Sequence, residues 1–153
     1  MSALRVALRP AALLAALAAA LAAASGACGH AGVTAAEAPA PDRTVQLNQP
    51  GAVVHVEDHL VEGYVTVVDF WAEHCGACVP VGGMLAIQTA AEPRILIRKV
   101  DVGDGFSPVA QAYKVGALPN YRIYDKHRQL RYILVGNDCV GAADLAKQLA
   151  AEP

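Results

Sequence analysis

Residues 69–78 read DFWAEHCGAC, with two small residues between Cys75 and Cys78. The run over residues 64–70 is β-branched and carries no charge until its aspartate, which is typical of a buried central strand. Residues 75 to about 90 fit a helix, although one proline and two glycines weaken its first turns. The pattern therefore predicts a strand that runs into a turn, followed by a helix that begins at the first cysteine.

The position of the cysteine pair at a helix start has a chemical consequence. The first turn of a helix presents unpaired backbone N–H groups and the positive end of the macrodipole, which both favour an anion. The pKa of the Cys75 thiol is thereby lowered, and Cys75 is predicted to be the attacking thiolate. Cys78, one turn later, is close enough to form a disulfide and is predicted to be the resolving thiol that releases a mixed disulfide.

The other segments predict further strands and helices. Upstream lie a short strand at residues 45–47 and a short helix or turn at residues 57–62. Downstream, the predicted elements are a strand at 95–102, a short helix at 108–114, a hairpin of strands 121–124 and 131–135 joined by a turn at 125–129, and an amphipathic helix at 142–151. This order predicts an α/β fold with a central mixed β-sheet flanked by helices.

Composition limits the classes of function. The chain has 153 residues and a net charge of −2, which fits one domain of ordinary size. No cluster of Lys and Arg follows Arg9, so nucleic-acid binding through phosphate neutralisation is excluded. Four cysteines are too few for a disulfide-dense scaffold.

The first 27 residues have the pattern of an export signal. Arg5 and Arg9 form a positive n-region, and residues 11–24 are an unbroken Ala and Leu run, shorter than the roughly 20 apolar residues of a membrane span. Residues 25–27 supply the small side chains of a cleavage site, although a retained signal anchor is the alternative. Residues 1–27 are therefore predicted to be a signal peptide, which places the protein in the periplasm or the cell envelope, an oxidising compartment.

Cys28 directly follows the predicted cleavage site. The residues around it resemble the lipobox of bacterial lipoproteins, in which the cysteine becomes the lipidated N-terminus, except that Ser25 stands where leucine is preferred. The same residues also suit the ordinary signal peptidase, so an unmodified N-terminus is the alternative to lipidation. Residues 28–43 hold little bulky apolar material and are predicted to be a flexible tether ahead of a domain at residues 44–153.

Several separated features of the chain resemble the thioredoxin family. The strand VVDFWA at residues 67–72 is similar to the strand before the family's active site. Leu118 and Pro119 fall where the family carries its cis-proline, and Gly136 falls where it places a glycine ahead of the last helix. The resemblance covers residue 64 to the C-terminus. It implies a thioredoxin-like fold and protein-disulfide oxidoreductase activity, in which the cysteine pair is a redox-active disulfide that needs no cofactor and no metal.

The resemblance implies roles for neighbouring residues. Asp69 matches the family's buried carboxylate, which helps to move a proton at Cys78, and burial would raise its pKa; an ordinary strand-end acid is the alternative. A cis Pro119 would place the backbone of Leu118 against the cysteines, where it offers hydrogen bonds to an extended substrate. Lys99 aligns with a lysine that is often found near the buried acid.

Substrate contacts are also expected from residues in and around the motif. Trp71 lines the rim of the site or packs in the core. His74 stands where the family usually has Trp, and a protonated imidazole there would stabilise the Cys75 thiolate, unless His74 is an exposed residue without a role. Ala77 replaces the family's usual proline, and the pair Gly76-Ala77 leaves the redox direction open.

Three other departures from the family pattern stand outside the motif. Gly83 replaces a helix-kinking proline, and Asn120 follows the predicted cis-proline where threonine is common. Cys139 lies in a predicted loop before the last helix. It is interpreted as an unpaired loop cysteine, with a resolving or regulatory thiol, or a partner for Cys28, as the alternatives.

Together these patterns predict an exported thiol–disulfide oxidoreductase. Its substrates would be cysteines in other exported proteins, and a membrane redox partner would recycle it. One alternative is a binding module in which Cys75, Cys78, His74 and Cys139 hold copper or zinc, although the usual four-ligand site has two spaced pairs. The other alternative is a non-catalytic interaction module on the same fold.

Overall fold

The structure, a computed structural model, describes residues 39–153. The predicted signal peptide at 1–27, the predicted lipidation site Cys28 and most of the predicted tether lie outside the described residues. At the end of the tether, the buried Arg98 guanidinium donates to the carbonyl oxygens of Asp42 and Arg43 at 2.9 and 3.5 Å. The chain is therefore held against the domain from residue 42 onward, just before the predicted boundary.

In the described part of the chain, five strands form one mixed sheet. They are β1 (Thr44–Gln46), β2 (Val65–Trp71), β3 (Ile95–Asp101), β4 (Asn120–Tyr124) and β5 (Leu130–Val135), in the spatial order β1-β3-β2-β4-β5. β2 pairs in parallel with β3 and antiparallel with β4, so it has a hydrogen-bonded neighbour on each side. A strand with both edges paired and both faces covered is expected to be a continuous apolar run. The predicted central mixed sheet is confirmed.

Besides the strands, residues 39–153 form three α-helices and two 3₁₀ helices. They are a 3₁₀ helix at Val56–His59, α1 (Cys78–Gln88), α2 (Pro108–Ala112), a 3₁₀ helix at Gly136–Gly141 and α3 (Ala142–Ala151). Because side chains alternate along a strand, β2 contributes to two cores. Val65 and Val67 pack with α1 and α3 on one face, and Val68 and Phe70 pack with α2 on the other.

The predicted start of α1 is wrong by three residues. The helix begins at Cys78, and residues 75–77 form a turn in which the Cys78 N–H donates to the Cys75 carbonyl at 3.0 Å. Pro80 explains the shift. In a helix that began at Cys75, Pro80 would be the sixth residue and would lack a required N–H donor. With Cys78 as first residue, Pro80 is the third, where no intrahelical partner is needed.

The segment before α3 also differs from the prediction. Residues 136–141 form a 3₁₀ helix rather than an open loop, and Cys139 lies on its inner side, 2% exposed. Cys139 is a free cysteine in the core between the sheet, α1 and α3, and not a loop residue. Its thiol donates to the carbonyl oxygens of Pro119 and Leu134 at 3.5 and 3.4 Å. Burial raises the pKa of this thiol to about 11, so the thiol is protonated at neutral pH.

The C-terminal end of α1 is contacted by the chain that precedes β1. The Arg43 guanidinium donates to the carbonyl oxygens of Thr89 and, at 2.9 Å, of Ala90. A cation at this end of a helix interacts favourably with the macrodipole. Among residues 39–153, every helix is too short or too polar to span a bilayer.

Candidate active site

The two cysteines of the motif form a disulfide at the junction of β2 and α1. Their Cα atoms are 5.3 Å apart. Cys75 is half-buried at the surface, whereas Cys78, in the first turn of α1, is 4% exposed. The Cys75 sulfur is therefore the one that an outside thiol or disulfide can reach.

The backbone of the first helical turn points at this reachable sulfur. The Cys78 N–H donates to Cys75 Sγ at 3.2 Å. Ala77, at the N-cap, offers no side-chain oxygen to compete for the N–H groups of this turn. When the disulfide is reduced, this N–H and the helix dipole favour negative charge on Cys75 over the neutral thiol.

A groove of about 310 Å³ lies beside Cys75. Of the predicted substrate-binding residues, His74 and Leu118 line it together with Cys75. Its other lining residues, which the sequence analysis did not single out, are Val102, Gly105, Val115, Gly116 and Ala117. The signal that points to the last three is their position directly before the Leu118-Pro119 bond in the chain.

The predicted contact residues Trp71, Gly76 and Ala77 are not among the residues that line this groove. Gly76 and Ala77 are exposed on the turn between the cysteines. Trp71 is partly buried at the end of β2, where its indole N–H donates to Gln46 Oε1 at 3.1 Å. The Lys99 ammonium lies 4.3 Å from the centre of the Trp71 ring, a cation–π contact.

The Leu118–Pro119 peptide bond is cis, as the resemblance implied. The Pro119 carbonyl is occupied, since it accepts the Gly136 N–H at 2.8 Å and the Cys139 thiol. These two hydrogen bonds hold Pro119, next to the groove residue Leu118, against the 3₁₀ helix Gly136–Gly141 that precedes α3. Leu118 itself contacts the apolar core on the α2 side and lines the groove.

His74 is exposed and lies between two surface depressions. One is the groove beside Cys75, and the other, of about 270 Å³, is lined by Pro50, Glu73, His74, Asp101 and Gly103. An imidazole in this place touches whatever occupies either depression. Its position is consistent with a contact to substrate, which remains a prediction.

Asp69 is buried beneath α1, the helix that begins at Cys78. It is 2% exposed, and burial raises its pKa from 3.8 to about 6, while the Lys99 ammonium acts in the opposite direction. Lys99 is the register partner of Asp69 on the neighbouring strand β3. A Cβ placed on Gly82, one turn after Cys78, would lie 3.4 Å from Asp69 Oδ2. The carboxyl therefore faces the same side of α1 as the buried sulfur.

The charge on Asp69 is expected to reduce the stability of the folded protein above pH 6. The unfolded chain, with an ordinary aspartate pKa near 3.8, loses this proton first as the pH rises, so the folded state loses stability between about pH 4 and 6. Two pKa units correspond to about 3 kcal/mol. We expect Asp69→Asn to raise the free energy of unfolding by about 1–3 kcal/mol at pH 8 and by much less at pH 4.

The measurement is urea unfolding of the oxidised protein at both pH values. Asp58→Asn is the matched control, because Asp58 is exposed and makes the same charge change. An equal gain for Asp69→Asn at pH 4 and pH 8 would show that burial of the charge is not its source.

Within residues 39–153, no group of three or more His, Cys, Asp or Glu side chains is arranged to hold a metal ion. Cys139, one of the ligands in the metal-binding alternative, lies in the core with its thiol directed at two backbone carbonyls. The structure does not bring it together with His74 and the cysteine pair as a metal site.

Comparison with known proteins identifies the family. The thioredoxin family model matches residues 54–151, more than half of the chain. The chain belongs to the thioredoxin family. The matched range includes the cysteine pair, Asp69, the cis-proline and all three α-helices.

Individual thioredoxins are similar over shorter stretches. The chain is 33% identical over 63 residues to thioredoxin of Mycoplasma pneumoniae, covering 41% of this chain and 61% of that protein. It is 32% identical over 81 residues to thioredoxin-2 of Pyricularia oryzae, covering 53% of this chain and 47% of that protein. The chain thus spans about half to three fifths of the length of these two curated relatives.

Solved thioredoxin structures share the fold. The crystal structure of Malassezia sympodialis thioredoxin superposes with a TM-score of 0.51 at 26% identity, covering 63% of this chain and 84% of that one. The solution structure of oxidised Plasmodium falciparum thioredoxin gives a TM-score of 0.53 at 21% identity, covering 71% and 98%. The thioredoxin fold predicted from the motif is confirmed.

Proposed function

We propose that this thioredoxin-family chain is an exported thiol–disulfide oxidoreductase. It exchanges the Cys75–Cys78 disulfide or dithiol with cysteines of other exported proteins. The observation that carries the proposal is the asymmetry of the pair, because one sulfur is half-buried beside a groove and the other is buried at a helix start. Family membership supports the same reaction class.

The reduction of a client disulfide proceeds in two exchanges. The Cys75 thiolate attacks one client sulfur, forms a mixed disulfide and releases the other client sulfur as a thiolate. Cys78 then gives its proton to the Asp69 carboxylate, and its thiolate attacks Cys75 Sγ. The Cys75–Cys78 disulfide forms, and the second client thiolate leaves. Two electrons pass from the pair to the client, and the reverse sequence oxidises a client dithiol.

The groove beside Cys75 provides the contacts for an extended client segment. Leu118 offers backbone hydrogen bonds, His74 and the turn residues Gly76 and Ala77 supply the opposite rim, and the apolar lining accepts small side chains. The Trp71 ring contacts the Lys99 ammonium and its indole N–H donates to Gln46, at the end of the strand that carries the buried acid. These contacts select the shape of the client backbone more than its sequence.

The cellular setting is proposed from the sequence. The export signal at residues 1–27 and the lipobox-like residues before Cys28 support a periplasmic or cell-envelope protein held by a lipid at Cys28. The glutathione and thioredoxin that keep thiols reduced act in the cytosol and do not serve an exported protein. An oxidoreductase in the periplasm or cell envelope therefore needs a membrane redox partner to restore its starting redox state.

The equilibrium reduction potential of the pair tests the proposal and determines the direction of the reaction. The protein is titrated in defined thiol buffers, and the fraction of alkylated Cys75 and Cys78 is read by mass. A value near about −270 mV identifies a reductant, and a value near about −120 mV identifies a disulfide donor. The buried Cys139 is the internal control, since it is expected to react only after denaturation. Failure of the pair to form a disulfide in any buffer would contradict the proposal.

A further inference from the structure

A second buried polar group faces Asp69 from the neighbouring strand. Tyr121 on β4 is the register partner of Asp69 on β2 and is fully buried on the α1 side of the sheet. Within residues 39–153, neither Asp69 Oδ1 nor the Tyr121 hydroxyl has a hydrogen-bond partner. Two unpaired buried polar atoms on facing register positions are unusual, because each costs free energy unless it is paired.

The Asp69 carboxyl and the Tyr121 hydroxyl both approach α1 at Gly82. A Cβ at Gly82 would lie 3.4 Å from Asp69 Oδ2 and 3.8 Å from the Tyr121 hydroxyl. Asp69 Oδ2 and the Tyr121 hydroxyl therefore both lie against Gly82, which has no side chain. Gly82 follows Cys78 by four residues and so occupies the same face of α1. The carboxyl, the hydroxyl and the buried sulfur share this side of the helix.

We propose that Tyr121 is a positioning residue for proton transfer in this site. Its hydroxyl donates a hydrogen bond to one water beside Gly82, and that water donates to the ionised Asp69 carboxylate. The donor holds the carboxylate ready to take the proton of Cys78 during the second exchange. The inference rests on the proposed function for its role in catalysis, whereas the hydrogen bond itself does not.

The other groups that face Asp69 cannot serve as this donor. Lys99 on β3 contacts the Trp71 ring through its ammonium and acts on Asp69 by charge. Cys139, on the 3₁₀ helix Gly136–Gly141, directs its thiol to two backbone carbonyls. α1 has no charged side chain, and its titratable residue on this face is Cys78, the proton source itself.

Tyr121 remains an O–H donor throughout the working pH range. Burial, together with the neighbouring Asp69 and Cys139, raises the pKa of the Tyr121 hydroxyl. The proton balance of the step is therefore simple. The Cys78 proton moves to Asp69, the Cys78 thiolate attacks Cys75 Sγ, and the leaving client thiolate takes a proton from solvent. Tyr121 keeps its own proton and stabilises the charge on Asp69 before the transfer.

The experiment follows the Asp69 carboxyl directly by ¹³C NMR titration of the oxidised protein. We expect Tyr121→Phe to move the Asp69 midpoint upward by about one pH unit, a tenfold change in proton affinity. Tyr124→Phe is the matched control, since Tyr124 lies on the same strand but packs on the opposite face. A Tyr121→Phe midpoint equal to that of the wild type in a folded protein would overturn the proposal.

A pair of glycine variants tests the place of convergence without removing the tyrosine. Gly82→Ala and Gly83→Ala both gain helix propensity, of about 1 kcal/mol each in a helix interior. Only Gly82→Ala puts a methyl group between the two polar atoms, since nothing lies within 4 Å of a Cβ at Gly83. We expect the Asp69 midpoint to rise in Gly82→Ala and to stay in Gly83→Ala. Equal shifts in both variants would overturn the proposed geometry.

The catalytic part is read from the pH profile of mixed-disulfide resolution in single-turnover experiments. In Tyr121→Phe, the profile should move to higher pH by the same amount as the NMR midpoint. An NMR shift with an unmoved profile would overturn the role in resolution. If the wild type shows no disulfide exchange, the proposed function fails, but the NMR midpoints still decide whether Tyr121 acts on Asp69.

Discussion

Cys75→Ser is expected to lower the rate of insulin disulfide reduction by about three orders of magnitude or more, to the uncatalysed background. A serine hydroxyl is not ionised at neutral pH and does not attack sulfur. Cys78 cannot take over the attack, because its sulfur is buried at the start of α1 and only 4% of the residue is exposed. The rate is followed by the turbidity of released insulin chains with dithiothreitol as the electron source.

The matched control for this prediction is Cys139→Ser. It makes the same substitution at a buried cysteine outside the groove and the cysteine pair. We expect it to retain most of the wild-type rate. Full activity in Cys75→Ser would mean that the reachable sulfur is not the nucleophile, and the proposed mechanism would be wrong.

Cys78→Ser is expected to convert most of the protein into a stable mixed disulfide when it meets a client disulfide. Cys75 still attacks, but no second thiol is placed to release the adduct. Cys139 cannot substitute for Cys78, since it is held in the core and its pKa, raised to about 11 by burial, leaves almost no thiolate at pH 7. The adduct is measured by intact mass under non-reducing conditions.

Two double variants identify which cysteine forms the mixed disulfide with the client. With Cys28→Ser present in every variant, Cys75→Ser/Cys78→Ser should form no adduct, and Cys78→Ser/Cys139→Ser should form as much as Cys78→Ser alone. An adduct that requires Cys139 would contradict the assignment of Cys75 as the attacking residue.

The elements with strong local patterns could be predicted from the sequence, and their boundaries are nearly right. The β-branched run that forms β2 was placed within one residue, and the last helix was placed at residues 142–151 as observed. β2 is a continuous apolar run with both faces covered, and the last helix has one apolar face at helical spacing. The predicted start of α1 at Cys75 is wrong because proline fits only the first turn of a helix, and a start at Cys78 places Pro80 in that turn.

Site residues that belong to a recognisable motif could be predicted from the sequence, whereas those that other segments contribute could not. The cysteine pair, His74 and Leu118 lie at the groove as expected, but Gly105 and Val115 come from separate connections that the fold brings to the same place. Tyr121 illustrates the same limit. Its position in a strand was predicted, but its pairing with Asp69 depends on the register of β2 and β4, which no short-range pattern determines.

The contacts of Arg98 and Arg43 give the domain a particular response to mechanical load. Tension that arrives along the chain from residues before 42 meets the buried Arg98 guanidinium first, and β1 has only three residues to resist peeling. The next contact in line is Arg43, whose guanidinium binds the carbonyl oxygens beyond the end of α1. A pull on the chain from residues before 42 is therefore opposed before it reaches the sheet edge. If the Arg43 contacts were lost, the C-terminal end of α1, the helix that begins at Cys78, would lose their support.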